Sequence, residues 1–370
     1  MLNRTFSLVF LLLFSFAMNA QSGAEMKADS LALIGMNLMD EGEIAAAIDY
    51  LEQAKVIFPG KSTYDYEIGL AHYKGGDYGA ALPVFRSLLK GTDSQPLYYQ
   101  MLGNTYDVLG KRKKAKKIYE EGIEKFPNSG PLYLESGVVA MSEEDYNLAR
   151  YYWEKGIQVD PTHPSNYYWA TKFFASTSEK VWALLYGEIF LNLEFGTERV
   201  DEISGLLFEL YNEVYVVESD TSGSFDLTES GFTISVDRLN LETLQANNFA
   251  LLPFEGEFAM KYAVTAGVYS GGPLDLEGIH QARTVFLEAW MDEEKNSQEK
   301  YPFVLFPYHA ELIEADYFQL YNYFLFRAGD IAFFGDFYQE NDLEYDAFFE
   351  WYNEHNLDFT NNNHSRLNFE

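Results

Sequence analysis

The sequence predicts a mainly α protein: an α-solenoid of stacked helical hairpins followed by a smaller mixed α+β domain. Three observations carry this expectation. The N-terminal half repeats with a period of 34 residues, period and charge both break near the middle, and short alternating apolar stretches follow the break. At 370 residues the chain exceeds one ordinary compact domain, and its 47% hydrophobic and 17% aromatic content can bury a core despite a net charge of −31.

The period is written in four columns. Gly35, Gly69, Gly103 and Gly137 recur at one step, and Ala47, Ala81, Ala115 and Ala149 at the same step. Leu51, Phe85, Tyr119 and Trp153 form a bulky column, and Pro59, Asp93, Pro127 and Pro161 mark the ends of units. The Gly and Ala columns flank a turn marked by Gly42, Gly76 and Gly110. Two antiparallel helices can therefore approach where no side chain intervenes, and the bulky residue fills the space beside them. A hairpin of this kind leaves an apolar face that only the next hairpin covers, so the units must stack.

This pattern resembles the tetratricopeptide repeat, with stretches such as Gly69-Leu-Ala-His-Tyr-Lys-Gly-Gly-Asp-Tyr and Tyr133-Leu-Glu-Ser-Gly137 near the family pattern. Four clear units cover 28–161. A degenerate fifth covers 162–197, where Ala183 is kept but Thr171 and Gly187 replace the glycine and the bulky residue. A capping helix is expected over 198–217, so the solenoid spans 24–217. Departures are Leu88 at a usually small position and Glu144 in place of the fourth turn glycine.

The resemblance implies a ligand along the concave face lined by the first helix of each unit. Carried over residue by residue, that lining is Tyr66, Leu70 and Tyr73, then Gln100, Asn104 and Asp107, then Leu134, Val138 and Met141, with Met36 and Met39 at the near end. Tyr73 and Asn104 are expected to be largely free of core duties. The basic clamp with which chaperone-binding members of the family hold a C-terminal carboxylate is absent, because Ala32 and Met36 occupy its first columns.

The N-terminus pairs Arg4 with an apolar run from Phe6 to Met18 and then Asn19-Ala20-Gln21. A run this short reads as a signal peptide over 1–20, cut near Ala20/Gln21, and not as a membrane span. The expected destination is the periplasm or the exterior of a bacterium. With no cysteine anywhere, neither a disulfide framework nor lipoprotein acylation is possible.

Residues 1–180 carry a net −4 and residues 181–370 a net −27. Nucleic acid is therefore not an expected partner of the C-terminal half. Strands are expected at Phe232, Ile234 and Val236 and at Phe258, Met260, Tyr262 and Val264. Helical faces are expected at Ile279, Ala282, Phe286 and Trp290, and at Phe318, Tyr321 and Leu325. An acidic, aromatic-rich α+β domain thus spans 218–360, with a polar tail over 361–370.

No chemistry-bearing motif is legible. His309 with Glu311 and His280 with Glu277 lack the spacing of a helical zinc pair, and Asp220, Ser222, Ser224 and Asp226 alternate like a calcium loop without its glycine and distal glutamate. Tyr338, Trp351 and Tyr352 among Asp336, Glu340 and Glu350 could stack sugars beside carboxylates, or form a Tyr-rich core with surface hydroxyls. The basic run Lys111-Arg-Lys-Lys-Ala-Lys-Lys117 falls at a helix start, where positive charge opposes the helix dipole. It is read as a solvated face or a dock for an acidic surface. The expected function is a non-catalytic scaffold that binds a protein or peptide, with no metal or cofactor. The rival is a carbohydrate-binding or hydrolytic activity in the C-terminal domain, with the repeats as a recruiting arm.

Overall fold

The computed structural model describes residues 23–214, 216–219, 222–224, 236–237, 254–263, 265, 273–292, 297–361 and 363–369. The expected signal peptide lies outside them, as do Phe232, Ile234, Asp220 and Asp226. Among the described residues no helix is long and apolar enough to cross a membrane. The chain forms two compact units, Met1–Val139 and Ala140–Glu370. The repeat pattern, which runs to residue 197, thus ends inside the second unit.

The first unit holds α1 (23–40), α2 (Ile44–Ile57), α3 (Ser62–Lys74), α4 (Tyr78–Leu88), α5 (Pro96–Val108) and α6 (Arg112–Lys125), and it ends within α7 (Gly130–Ser142). The columns do the packing expected of them. A Cβ added at Gly35 would lie 2.8 Å from Leu51, one at Gly69 2.8 Å from Phe85, and one at Gly103 2.1 Å from Tyr119. The alanine and bulky columns of these units are buried. Gly42, Gly76 and Gly110 hold φ of +86°, +79° and +70°, the left-handed turn that ends each first helix.

The second unit continues with α8 (Tyr146–Val159), α9 (Pro164–Ala175), α10 (Lys180–Leu193) and α11 (Glu198–Val214). Glu144 adopts the left-handed turn itself, at φ 61°. In the fifth unit small and large residues change places. A Cβ at Gly187 would meet Thr171 at 3.0 Å and Leu207 at 2.7 Å, so the glycine on the second helix makes room for the threonine on the first. The segment expected to cap the repeats is α11, which buries Ile203, Leu207, Leu210 and Val214.

The C-terminal half corrects the α+β expectation. Its extended structure among the described residues is three short antiparallel strands, β1 (Val216–Ser219), β2 (Ser222–Ser224) and β3 (Val236–Asp237), in the order β1-β2-β3 with Val216 opposite Ser224. Strands of two to four residues build no core of their own. Phe258, Met260 and Tyr262, expected on a strand, lie on helix α12 (Phe254–Ala263), and Val264 falls outside the described residues. Phe258, Met260 and Tyr262 do alternate, but Phe254, Phe258 and Tyr262 also recur every fourth residue, and they are the buried ones. The second period won because the ring of Phe258 packs on Phe286 at 4.7 Å and that of Phe254 on Trp182 at 4.9 Å.

Helices α13 (Leu276–Met291) and α15 (Phe318–Leu325) bury the faces expected of them, with α14 (Leu305–Glu314) between. The turn joining α14 to α15 copies the repeat turn bond for bond. Ala315, Asp316 and Tyr317 donate to the carbonyls of Glu311, Ile313 and Leu312, as Gly75, Gly76 and Asp77 donate to Ala71, Tyr73 and His72. Asp316, at φ 63°, stands where Gly76 stands. Counted from that turn, His309 and Tyr321 occupy the Gly and Ala columns, so two large polar residues replace the small ones. Helices α16 (Ile331–Glu340) and α17 (Asp342–Glu354) follow. The polar tail then packs into the unit: His364 and Ser365 are buried, and Arg366 pairs with Glu154 at 2.7 and 3.0 Å.

Candidate functional site: the first-helix face

In the first unit, α3, α5 and α7 carry the expected lining, and Tyr66, Leu70, Tyr73, Gln100, Asn104, Asp107, Leu134 and Val138 are all half-buried. Met141 belongs to the second unit, where it is exposed. Tyr66, Leu70 and Tyr73 lean on the core around Phe85 and Tyr119, and Tyr66 sits 5.9 Å from the Tyr98 ring. At the near end Met39 is core, while Met36 is exposed.

The polar middle is organised by a residue that the sequence reading passed over, Glu135. Gln100 Nε2 and Asn104 Nδ2 both donate to its Oε1, at 2.9 and 3.1 Å. The hydroxyl of Tyr119 donates to Asn104 Oδ1 at 2.5 Å. Asn104 therefore links the bulky column of the core to the carboxylate on the face. Tyr73 also has a packing task, edge-on to Tyr78 at 5.2 Å. Neither is free of core duties, because a repeat this tightly crossed uses its half-buried polar groups to satisfy one another. A signal for Glu135 existed. Its column runs Leu33, Glu67, Met101, Glu135, and a carboxylate in an otherwise apolar column needs partners.

Burial raises the Glu135 carboxyl above its ordinary range; the two amide donors oppose the shift and the nearby Asp107 charge adds to it. The Tyr73 hydroxyl is likewise raised, first by burial and then by Tyr78, Glu135 and Asp107. Burial pushes Tyr66 up to about 12. Asp107 has Arg112 at 3.5 Å, whereas the donors to Glu135 are neutral amides. The face thus offers two oriented amides, aromatic edges and a carboxylate with no ion pair among the described residues.

A cleft of about 970 Å³ opens elsewhere in the first unit, lined among others by Lys55, Phe58, Lys61, Val84 and Leu88. None of the expected lining residues borders it. Its cations are already engaged, Lys61 with Asp29 at 2.6 Å and Lys55 with Asp65 at 2.6 Å. The basic run opens α6, and Lys111, its N-cap, makes no side-chain capping bond.

In the second unit Glu188 forms the centre of a buried network with Arg283, His309 and Tyr321, beside a cavity of about 20 Å³. That volume admits one water and no sugar ring. His280 lies 3.1 Å from Asn322, and Glu277 accepts from Gln281 and Tyr323. Among the described residues no group of three or more acidic or histidine side chains is placed to hold a metal.

A family model described as Tetratricopeptide repeat matches residues 28–57 and 97–128. The N-terminal half of the chain carries tetratricopeptide repeats. The C-terminal half of this repeat protein is unmatched. No curated protein matches the chain. Among solved structures, pilF of Pseudomonas aeruginosa is 16% identical, over 51% of this chain and 84% of its own, with a TM-score of 0.43. A thermophilic repeat protein of Thermus thermophilus is 18% identical, over 49% and 98%, with a TM-score of 0.42. MamA of Desulfovibrio magneticus RS-1 is 18% identical, over 45% and 94%, with a TM-score of 0.36.

Proposed function

We propose that this repeat protein is an exported, non-catalytic scaffold that holds a protein or peptide against its first-helix face. The observation that carries the reading is Glu135, half-buried between the amides of Gln100 and Asn104 with no cation paired to it among the described residues. A carboxylate in that state favours a ligand that brings a Lys or Arg side chain, with Tyr66, Leu70 and Tyr73 packing its apolar neighbours. Export rests on the Phe6 to Met18 run and Ala20, and places the mature chain in the periplasm or outside the cell.

The test is affinity capture from an envelope extract, read by mass spectrometry and N-terminal sequencing of the native chain. Mature protein is expected to begin near Gln21, and Leu70→Asp is expected to lose the captured partner while Val84→Asp, in the cleft, keeps it. An intact Met1 on most molecules would contradict export. Loss from the cleft variant alone would move the site off the first-helix face.

A further inference from the structure

Helix α16 is unusually bare. Six of its ten residues, in the sequence Ile-Ala-Phe-Phe-Gly-Asp-Phe-Tyr-Gln-Glu, are apolar or aromatic, yet none is buried. Helical spacing gathers Ile331, Phe334 and Tyr338 into one row and Phe333 and Phe337 into the next. The middle of this stripe meets the unit, with Phe337 4.8 Å from the Tyr323 ring and Phe334 5.8 Å from Tyr345. Its two edges stay open: Ile331 is 73% exposed and Phe333 42%.

Charge defines what could cover those edges. From Asp330 to Glu354 the chain has eight acidic residues and no Lys, Arg or His. Asp336 and Glu340 are exposed on α16 itself, and Asp342, Glu344 and Asp346 on the next helix. The nearest cation before the segment, Arg327, is engaged by Asp201 at 2.8 Å. An apolar stripe rimmed by one sign of charge excludes acidic partners and anionic lipid, and selects a partner with both apolar and cationic side chains.

We propose that α16 is a docking surface for a basic amphipathic segment of a partner protein, whose apolar side chains cover Ile331 and Phe333 while its Lys or Arg residues meet Asp336 and Glu340. This surface is independent of the first-helix face. The basic run of this chain is a poor occupant, because it presents cations alone: Ala115 is buried and Ile118 packs into its own core.

The experiment uses the full mature chain and two synthetic helical peptides of equal length, one of Leu and Lys at amphipathic spacing and one of Leu and Glu, followed by fluorescence anisotropy. The Leu/Lys peptide is expected to bind and the Leu/Glu peptide not. Ile331→Ser, which leaves every charge in place, is expected to weaken binding about tenfold. Asp336→Asn with Glu340→Gln is expected to weaken it several-fold and to flatten its dependence on salt. Thermal melts check that each variant is folded, and Ile331→Lys serves as a second variant with the same expected loss. Binding unchanged by both Ile331 variants would mean that the peptide senses only the net charge, and would overturn the proposal. So would loss of self-association in Ile331→Ser, which would make the occupant a second copy, or its loss of binding to phosphatidylcholine vesicles, which would make it a lipid surface.

Discussion

Arg283 grips Glu188 with two nitrogens, at 2.6 and 2.8 Å, although the two residues are 95 apart in sequence and both are buried. Burial raises the Glu188 carboxyl, but the Arg283 guanidinium and His309 beside it outweigh that and hold it well below the carboxylate range. Burial lowers the His309 imidazole against the pull of Glu188, and the Arg283 guanidinium is the largest of the charges that oppose the burial of Glu188. Tyr321 donates to the same oxygen at 2.8 Å. The last repeat helix, α10, is thereby tied to α13 and to the hairpin of α14 and α15.

Arg283→Ala leaves a buried carboxylate uncompensated, and should cost about 3–5 kcal/mol. Replacing both partners by apolar residues, as in Glu188→Met with Arg283→Leu, should cost far less. Urea unfolding of the full chain measures both. A loss below about 1 kcal/mol for Arg283→Ala would mean that water reaches Glu188 and that the pair is not a core contact.

The buried tail predicts a dependence on pH. Burial pushes the His364 imidazole down to about 4, against the backbone groups of Gln158 and Ile157. The unfolded chain then binds the proton first, so this contribution is whole above about pH 6.5 and is lost as pH falls towards 4. The slope is about 1.4 kcal/mol per pH unit for one proton. His364→Asn should remove one proton's worth of slope between pH 6.5 and 5, above the range where carboxylates titrate. An unchanged slope in denaturation titrations would show that the tail is open to water in solution.

The repeat columns predict an asymmetry between glycines. Gly103→Ala would set a methyl 2.1 Å from the Tyr119 ring, whereas at Gly79, near the start of α4, the nearest atom is 3.5 Å away. Alanine gains about 1 kcal/mol of helix propensity at either place. Overpacking against a buried ring costs about 1–3 kcal/mol. Gly103→Ala should therefore lower the melting temperature while Gly79→Ala leaves it level or raises it. Equal behaviour of the two would deny the close helix crossing.

The sequence displayed the repeats because each column answers a local need at a fixed period: Gly103 makes room for Tyr119, and Gly76 supplies a positive φ. It displayed α13 and α15 for the same reason. It misled at Phe258 to Tyr262, where periods of two and four fit the same residues and only the packing on Trp182 and Phe286 decides. The turn at Asp316 escaped because its neighbouring columns hold His309 and Tyr321 in place of small residues. Of the site, the half-buried face was legible from the columns, and the column of Glu135 showed a carboxylate that needs partners without showing which. A carboxylate's role there depends on amides 35 and 31 residues away, and no local pattern announces that pairing.

Under the proposed function, the first-helix face binds its partner through Glu135. The most direct test is the affinity of the captured partner for Glu135→Gln, measured by calorimetry on the mature chain at two salt concentrations, with Lys113→Gln/Lys114→Gln as the comparison. Glutamine keeps the shape and one acceptor for Gln100 and Asn104, so the melting temperature should hold. Affinity should fall about tenfold or more and lose part of its salt dependence, as removal of a charge-assisted contact requires. Full affinity in Glu135→Gln, with binding lost instead from the basic-run variant, would contradict binding at the first-helix face and place the partner on the start of α6.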